Sequence, residues 1–275
     1  QLKRVMCGIA AWIATQEDIL PDLDASLCKH RGPDRTSTKV EGTVRMDFHR
    51  LCINGMGVGS DQPLDAGGWW LICNGEIYNH ATLSETYLTR TKSDCEVLVQ
   101  MLAGGKHISE VAREADGVFS LFAFHPQEKI AVVARDVFGV RGLYMGSGNG
   151  LAFCVASEMK VLHAAGCDAI VPFPPKSWQY IDYSDPSNLV TQSGYYYPSF
   201  KLSCYRPVFY TEDQCLRICQ TTLRAAVKKR MMTDRPAPIG CFLSGGFDSS
   251  IVAALLVEQL RNPKDLHTFS IGMAG

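Results

Sequence analysis

Two stretches of this chain combine residue types that can do chemistry. The first is Met6-Cys7-Gly8-Ile9, where a cysteine heads an apolar run, Ile9-Ala10-Ala11-Trp12-Ile13. If the residues through Met6 were removed, Cys7 would carry a free α-amine beside its thiol. An α-amine has an ordinary pKa near ~8, so it can take the thiol proton near neutral pH, and the thiolate is then a nucleophile with no separate histidine. The plainer alternative is a small buried hydrophobe in a strand. The second stretch is Ser244-Gly245-Gly246-Phe247-Asp248-Ser249-Ser250. Its glycines let backbone N–H groups turn toward an anion, and a helix starting there adds partial positive charge. Ser244, Ser249 and Ser250 bring hydroxyl donors for phosphate oxygens. Asp248 has the wrong sign for a phosphate but the right sign for a bridging Mg²⁺. No lysine follows the glycines, so this is not a Walker A loop. The plainer alternative is a capped strand-to-helix turn.

The elements that must position these residues follow from apolar spacing. Ile9 to Ala14 reads as a buried strand, which puts Cys7 at its head. Pro21 to Lys29 reads as a short helix, and Thr43 to Ile53 and Trp69 to Cys73 as strands. Apolar residues at 97, 98, 101 and 102 give Asp94 to Ala103 a helical period. Val118 to Phe124 and Ile130 to Ala134 read as a strand pair, and Leu151 to Ala156 as a strand followed by a short helix through Leu162. This mixture predicts an α+β first domain. Prolines at 172, 174, 175, 186, 198 and 207 predict irregular strands and a linker over 176–210. Thr211 with Gln214 is a capping-box pattern opening a helix to about Met232, with Leu216, Cys219, Leu223, Val227 and Met231 on one stripe. Ile239 to Leu243 as strand, Ile251 to Leu260 as helix and Leu266 to Met273 as strand make one βαβ unit of a parallel sheet.

In order along the chain, a series of pieces resembles the glutamine-dependent asparagine synthetase family. They are Met6-Cys7-Gly8-Ile9, His30-Arg31-Gly32-Pro33-Asp34, Arg50-Leu51, Gln62-Pro63-Leu64 and Asn74-Gly75-Glu76-Ile77-Tyr78-Asn79-His80. Ser93-Asp94-Cys95-Glu96, Arg135-Asp136 with Gly139, Leu143-Tyr144 and Ala156-Ser157-Glu158-Met159-Lys160 continue it, and the 244–250 loop is similar to the family's pyrophosphatase-type loop. The stretch Ala226 to Leu243 looks closest to the animal-type enzymes. Lys176 and Gly142 depart from the family pattern.

The resemblance implies an Ntn-hydrolase-type αββα sandwich over 7–175, a linker over 176–210, and the beginning of an α/β ATP-pyrophosphatase-type domain over 211–275. It implies that Cys7 attacks the side-chain amide of glutamine, with Asn74 and the Gly75 N–H as oxyanion hole. Arg50 would pair the substrate α-carboxylate, and Asp94 with the Glu76 carbonyl would hold its α-amine. Taken singly, Asn74-Gly75 is also a common hairpin turn, Arg50 a surface charge and Asp94 a helix N-cap. In the second domain the resemblance implies ATP and aspartate as substrates, joined as β-aspartyl-AMP before ammonia yields asparagine. Ser244, Gly245, Gly246, Asp248, Ser249 and Ser250 would grip the pyrophosphate and its Mg²⁺, with Leu243, Ile271 and Gly272 near adenine and ribose.

Bulk properties narrow the partners. A net charge of −1 over 275 residues gives no basic face for nucleic acid, and no apolar run is long enough to span a membrane. Eleven cysteines without a CxxC pair suit a reducing compartment, so a cytoplasmic site is expected, or an organellar one if the residues before Cys7 are the remnant of a leader. Six residues precede Cys7, and while they remain its amine is an amide. One βαβ unit cannot cover both faces of a parallel sheet. Two expectations follow. One is a synthetase whose polypeptide continues past Gly275, possible as a homodimer. The other is a truncated, non-catalytic homologue serving as a structural subunit of a larger assembly.

Overall fold

The computed structural model describes residues 6–197, 210–234 and 238–272. The chain divides into two units, Gln1–Lys201 and Leu202–Gly275. Strands of the first unit are β1 (Gly8–Ala14), β2 (Arg35–Glu41), β3 (Val44–Arg50), β4 (Leu64–Ala66), β5 (Trp69–Ile77), β6 (Gly117–His125), β7 (Ile130–Arg135), β8 (Tyr144–Gly148), β9 (Leu151–Ala156), β10 (Val171–Pro172), β11 (Ser177–Asp182) and β12 (Val190–Tyr195). Its helices are α1 (His80–Leu83), α2 (Glu96–Ala103), α3 (Ile108–Glu114) and α4 (Met159–Ala164). The strands form two six-stranded sheets, ordered β10-β8-β9-β1-β3-β2 and β12-β11-β7-β6-β5-β4, with every pairing antiparallel.

Strand β1 is buried along its whole length, as its unbroken apolar sequence requires. Ile9, Ala11 and Ile13 meet Phe48, Phe122, Phe124 and Phe153 between the sheets. Ala10, Trp12 and Ala14 face outward onto Val161 and Leu162 of α4. On the far side, Leu71, Cys73 and Leu121 of the second sheet pack on Val97, Leu98 and Met101 of α2 and Val111 of α3. The layers therefore run helix, sheet, sheet, helix, as the αββα expectation had it. Each large apolar side chain fully buried in this way contributes roughly 1.5–3 kcal/mol.

Several elements differ from expectation. The helix expected over 21–29 is two 3₁₀ turns, Glu17–Asp22 and Ser26–Cys28. Asp24 accepts from both the N–H (2.7 Å) and the hydroxyl (2.9 Å) of Ser26, a local turn that competes with helix. Strand β2 has too little apolar content to be read as a strand, and it lies at a sheet edge. Of the stretch expected to be irregular, β11 and β12 form a regular hairpin paired to β7, with Tyr183 and Tyr196 buried beside it. Positions 198–209 of that stretch lie outside the described residues.

The second unit carries α5 (Glu212–Arg230), β13 (Ile239–Phe242), α6 (Phe247–Gln259) and β14 (Leu266–Phe269). The capping box forms: Thr211 Oγ1 accepts from Gln214 N, and Gln214 Oε1 accepts from Thr211 N. Strands β13 and β14 pair in parallel, so the βαβ unit is present. Helix α6 begins four residues earlier than expected, inside the glycine-rich stretch, and β14 ends at Phe269. On the α5 stripe only Val227 is buried, beside Cys241 and Leu256, whereas Leu216, Cys219 and Leu223 are exposed. Helix α6 meets α5 near Arg224, which pairs with Glu258 at 2.9 Å, and the N-terminal turns of α5 extend past it.

Candidate active site

Cys7 stands one residue before β1, and its backbone is held from two sides. Arg31 Nε donates to the Cys7 carbonyl at 2.9 Å, and Arg31 Nη1 reaches Glu158 at 3.2 Å. Ser157 Oγ accepts from Ile9 N at 3.0 Å, and Ser157 N donates back to the Ile9 carbonyl at 2.9 Å. Gly32 admits this arrangement because a Cβ there would overlap the His49 carbonyl.

The Cys7 sulfur receives the Leu51 N–H at 3.4 Å. Burial pushes its thiol up to about 12; the Leu51 N–H and the Arg141 guanidinium pull the other way, and Glu76 adds to the rise. At neutral pH the sulfur is protonated, so attack requires a base. Among the described residues no histidine lines the cavity in front of it.

That cavity is small, about 30 Å³, room for little more than a water molecule. Cys7, Arg50, Gly75, Glu76 and Asp94 all lie on its wall. Asn74 sits between Cys73 and Gly75, on the face of β5 shared with Ile72, which packs between the sheets. It is 1% exposed, and its Nδ2 has no hydrogen-bond partner among the described residues. A buried amide donor left unmatched costs about 1–3 kcal/mol, so it marks a place for an acceptor.

The plain alternatives for these residues fail on position. Asn74 and Gly75 are not a hairpin turn: they lie within β5, opposite Ser120 and Phe119 of β6. A Cβ at Gly75 would stand 2.5 Å from the Val118 carbonyl, so only glycine lets β6 approach. Arg50 is not a surface charge, being 4% exposed. Its guanidinium pairs with Asp61 and donates to the carbonyls of Gly55, Gly57 and Asn54. Asp94 does not cap α2; its Oδ2 accepts from Ile77 N at 2.8 Å, which ties it to β5.

Glu76 and Asp94 bring two carboxyls to one wall. Burial, then the neighbouring Asp94 charge, raises Glu76 to about 8. Burial likewise raises Asp94, against the pull of the Ile77 N–H. Asn54 Nδ2 donates to Glu76 Oε2 at 3.0 Å. Spacing did not reveal Asn54, Asp61 or Arg141. Arg141 acts on both Cys7 and Glu76, and its buried Nε has no hydrogen-bond partner among the described residues. Arg31, Gln62, Ser157 and Glu158 lay inside recognised pieces without an assigned task. Gln62 now has one: its side-chain amide brackets Cys73, donating to the carbonyl at 3.1 Å and accepting from the N–H at 2.5 Å.

In the second unit, the 244–250 stretch joins the end of β13 to the start of α6. Gly245 has φ +83°, a left-handed turn, and beyond its two chain neighbours no atom of the described residues lies within 4 Å of where its Cβ would be. Ser249 Oγ donates to the Gly246 carbonyl at 3.0 Å and lies 3.1 Å from Ser244 Oγ; Ser250 Oγ also donates to the Gly246 carbonyl, at 2.8 Å. The first N–H groups of a helix have no acceptor within it, so those of α6 open beside the exposed loop. Leu243 N donates to the Phe269 carbonyl at 2.8 Å, and Ser270 Oγ to the Leu243 carbonyl at 2.5 Å. Leu243, Ile271 and Gly272 therefore gather with the loop at the C-terminal ends of two parallel strands, where open α/β sheets bind ligands. Asp248 is exposed on the first turn. Among the described residues no group of three or more side chains could hold a metal alone, so a cation there would take its remaining ligands from phosphate and water.

Comparison with known proteins covers the whole chain. The family profile described as glutamine amidotransferase domain matches residues 6–171, and that described as asparagine synthase matches 219–275. A probable glutamine-hydrolysing asparagine synthetase of Schizosaccharomyces pombe is 33% identical, over 98% of this chain and 51% of its own length. Glutamine-hydrolysing asparagine synthetases of Brassica oleracea (33%; 98% and 46%) and Saccharomyces cerevisiae (32%; 92% and 44%) are similarly related. The chain thus spans about half the length of these relatives. Two solved structures share its fold. An allosteric regulatory enzyme of purine biosynthesis has TM-score 0.54 at 17% identity, over 95% of this chain and 64% of its own. Glutamine phosphoribosylpyrophosphate amidotransferase of B. subtilis has TM-score 0.51 at 16%, over 98% and 60%.

Proposed function

Since the chain belongs to the glutamine amidotransferase domain family, we propose that its first unit releases ammonia from glutamine with Cys7 as nucleophile. The sulfur attacks the side-chain amide carbon, ammonia leaves, and water hydrolyses the glutamyl thioester to glutamate. With the thiol raised to about 12, the base is the α-amine of Cys7 itself, which exists only once the residues before it are removed. The negative oxygen of the tetrahedral intermediate takes its hydrogen bonds from Asn74 Nδ2 and the Gly75 N–H. Arg50 exchanges Asp61 for the substrate α-carboxylate. Asp94 and the Glu76 carbonyl hold the substrate α-amine, whose positive charge draws the Asp94 carboxyl back to its ionised form. The observation that carries this reading is the unmatched, buried Asn74 donor on the strand that also brings Gly75 to the Cys7 cavity.

The wider reading is a glutamine-hydrolysing asparagine synthetase acting on glutamine, aspartate and ATP. Its 244–250 loop grips the pyrophosphate of ATP through Ser244, Gly245, Gly246, Asp248, Ser249 and Ser250. Asp248 would hold Mg²⁺ together with phosphate oxygens, and the ion would offset phosphate charge. Ammonia then displaces AMP from β-aspartyl-AMP to give asparagine. A cytoplasmic place and a homodimer belong to the same reading.

A second reading is a non-catalytic subunit of a larger assembly. The small cavity, the engaged Arg50 and the hold of Arg31 Nη2 on Met6 Sδ at 3.7 Å favour it. The two separate in one assay. Protein released by a protease so that Cys7 is its first residue should liberate ammonia from glutamine, and Cys7→Ala should abolish it. Folded protein with Cys7 exposed and no ammonia release would leave the subunit reading standing.

A further inference from the structure

Cys154 and Cys167 approach each other on the side of the first sheet that faces away from the Cys7 cavity. Cys154 lies on β9 opposite Trp12 of β1, in the outward-facing cluster. Cys167 follows α4. Their sulfurs are 3.0 Å apart, both residues are buried, and both are free thiols. The separation is about 1 Å beyond a disulfide bond length. We propose that Cys154 and Cys167 form a two-electron thiol site that takes a small-molecule disulfide as its oxidant, and closes reversibly into a cross-link around α4.

The frame is built for the approach. Gly146 of β8 is the register partner of Cys154. A Cβ there would stand 3.3 Å from Cys167 Cβ and 3.0 Å from the Ala169 carbonyl, so a side chain would press Cys167 away. The backbone on either side of Cys167 is pinned: Cys167 N donates to the Leu162 carbonyl at 3.1 Å, and Asp168 N to the Ser147 carbonyl at 3.0 Å. The pair is thus presented by β9 and the α4 exit rather than by a loose loop.

The two sulfurs are unequal. Cys154 is wholly buried, and its single thiol proton is shared between the Gly146 carbonyl at 2.9 Å and Cys167 Sγ at 3.0 Å; contact with Cys167 and burial keep it protonated. Cys167 is flanked by exposed Gly166 and Asp168, and the hydrogen bond from Cys154 holds its thiol below the ordinary cysteine value. Cys167 is therefore the attacking thiolate. Its sulfur displaces one thiolate from the small disulfide and forms a mixed disulfide. Cys154 then loses its proton and attacks Cys167 Sγ, displacing the second thiolate. Two protein thiols are oxidised, one small disulfide is reduced to two thiols, and the two protons go to those products.

The test uses the full chain, folded and fully reduced. It is incubated with excess oxidised glutathione, residual thiols are blocked with iodoacetamide, and peptides are mapped without reduction. The expected result is one peptide pair joined through Cys154 and Cys167, lighter than the separate peptides by two hydrogens and separated by dithiothreitol. Cys154→Ser should stop at a glutathione adduct on Cys167. If that variant does not fold, the wild-type map decides alone. Alkylation of both residues after oxidation, or a stable glutathione adduct in the wild-type chain, would overturn the proposal; so would joining of either residue to another cysteine.

Discussion

At the scale of single residues, the candidate site is a set of groups held away from their ordinary states. Asn74 keeps a buried donor unmatched among the described residues, so its removal tests what the donor is for. Asn74→Ala should lower kcat for glutamine hydrolysis by about 10²–10³ with little change in KM, because the acceptor it serves forms only in the transition state. A matching rise in KM would place Asn74 in ground-state binding instead. Glu76 makes a prediction on stability. Its carboxyl rises to about 8 in the fold from an ordinary value near ~4.3 in the unfolded chain. The folded state therefore holds this proton more tightly. The contribution is fully present below the unfolded value and is lost as pH climbs through about 8. The loss is on the order of a few kcal/mol. Urea unfolding of wild type against Glu76→Gln across that window should show a falling difference in favour of wild type, and parallel curves would refute the buried proton.

At the scale of elements, placement rests on a few strands whose neighbours are held close. Trp12 on β1 is wholly buried in the outer layer, and the same strand presents Cys7 at its head. Trp12→Ala should cost about 3–5 kcal/mol of unfolding free energy, read as a lower urea midpoint. Glutamine hydrolysis should survive below that midpoint, since the Ser157 and Arg31 contacts to Cys7 and Ile9 remain. These elements were unequally legible. The apolar runs of β1, β5, β6, β7 and β9 announce themselves because both faces of each are covered. Polar β2, and β11 and β12 among prolines, are recognisable only through the strands they join, since a half-exposed strand carries no continuous apolar signal. The same asymmetry holds for the site. Cys7, Arg50, Asn74, Gly75 and Asp94 stand in recognisable short pieces. Asp61, Asn54 and Arg141 reach the site through folding across many intervening residues, and local pattern says nothing of that. The glycine-rich stretch was legible as a loop, but α6 starts inside it at Phe247, because Gly246 adopts an extended N-cap conformation.

At the scale of the whole molecule, the two units differ in how much core they own. The first packs three apolar clusters, one between its sheets and one under each outer layer. The second has Val227, Cys241 and Leu256 as its buried centre. It leaves Phe242, Phe247 and Ile271 largely exposed, at 75%, 79% and 101%. A βαβ unit with so small a centre offsets little of the roughly 1–2 kcal/mol of backbone entropy lost per ordered residue. Its helix caps do not change that balance, since a capping box is worth only about 1 kcal/mol. Independent folding is therefore expected of the first unit and not of the second. Residues 6–201 produced alone should unfold cooperatively, at the same temperature as the single transition of the whole chain. Residues 202–275 alone should show no cooperative transition and should bind a hydrophobic dye. A sharp thermal transition in the isolated second unit would mean that its exposed phenylalanines find cover within the unit, and that its stability has a source other than its core.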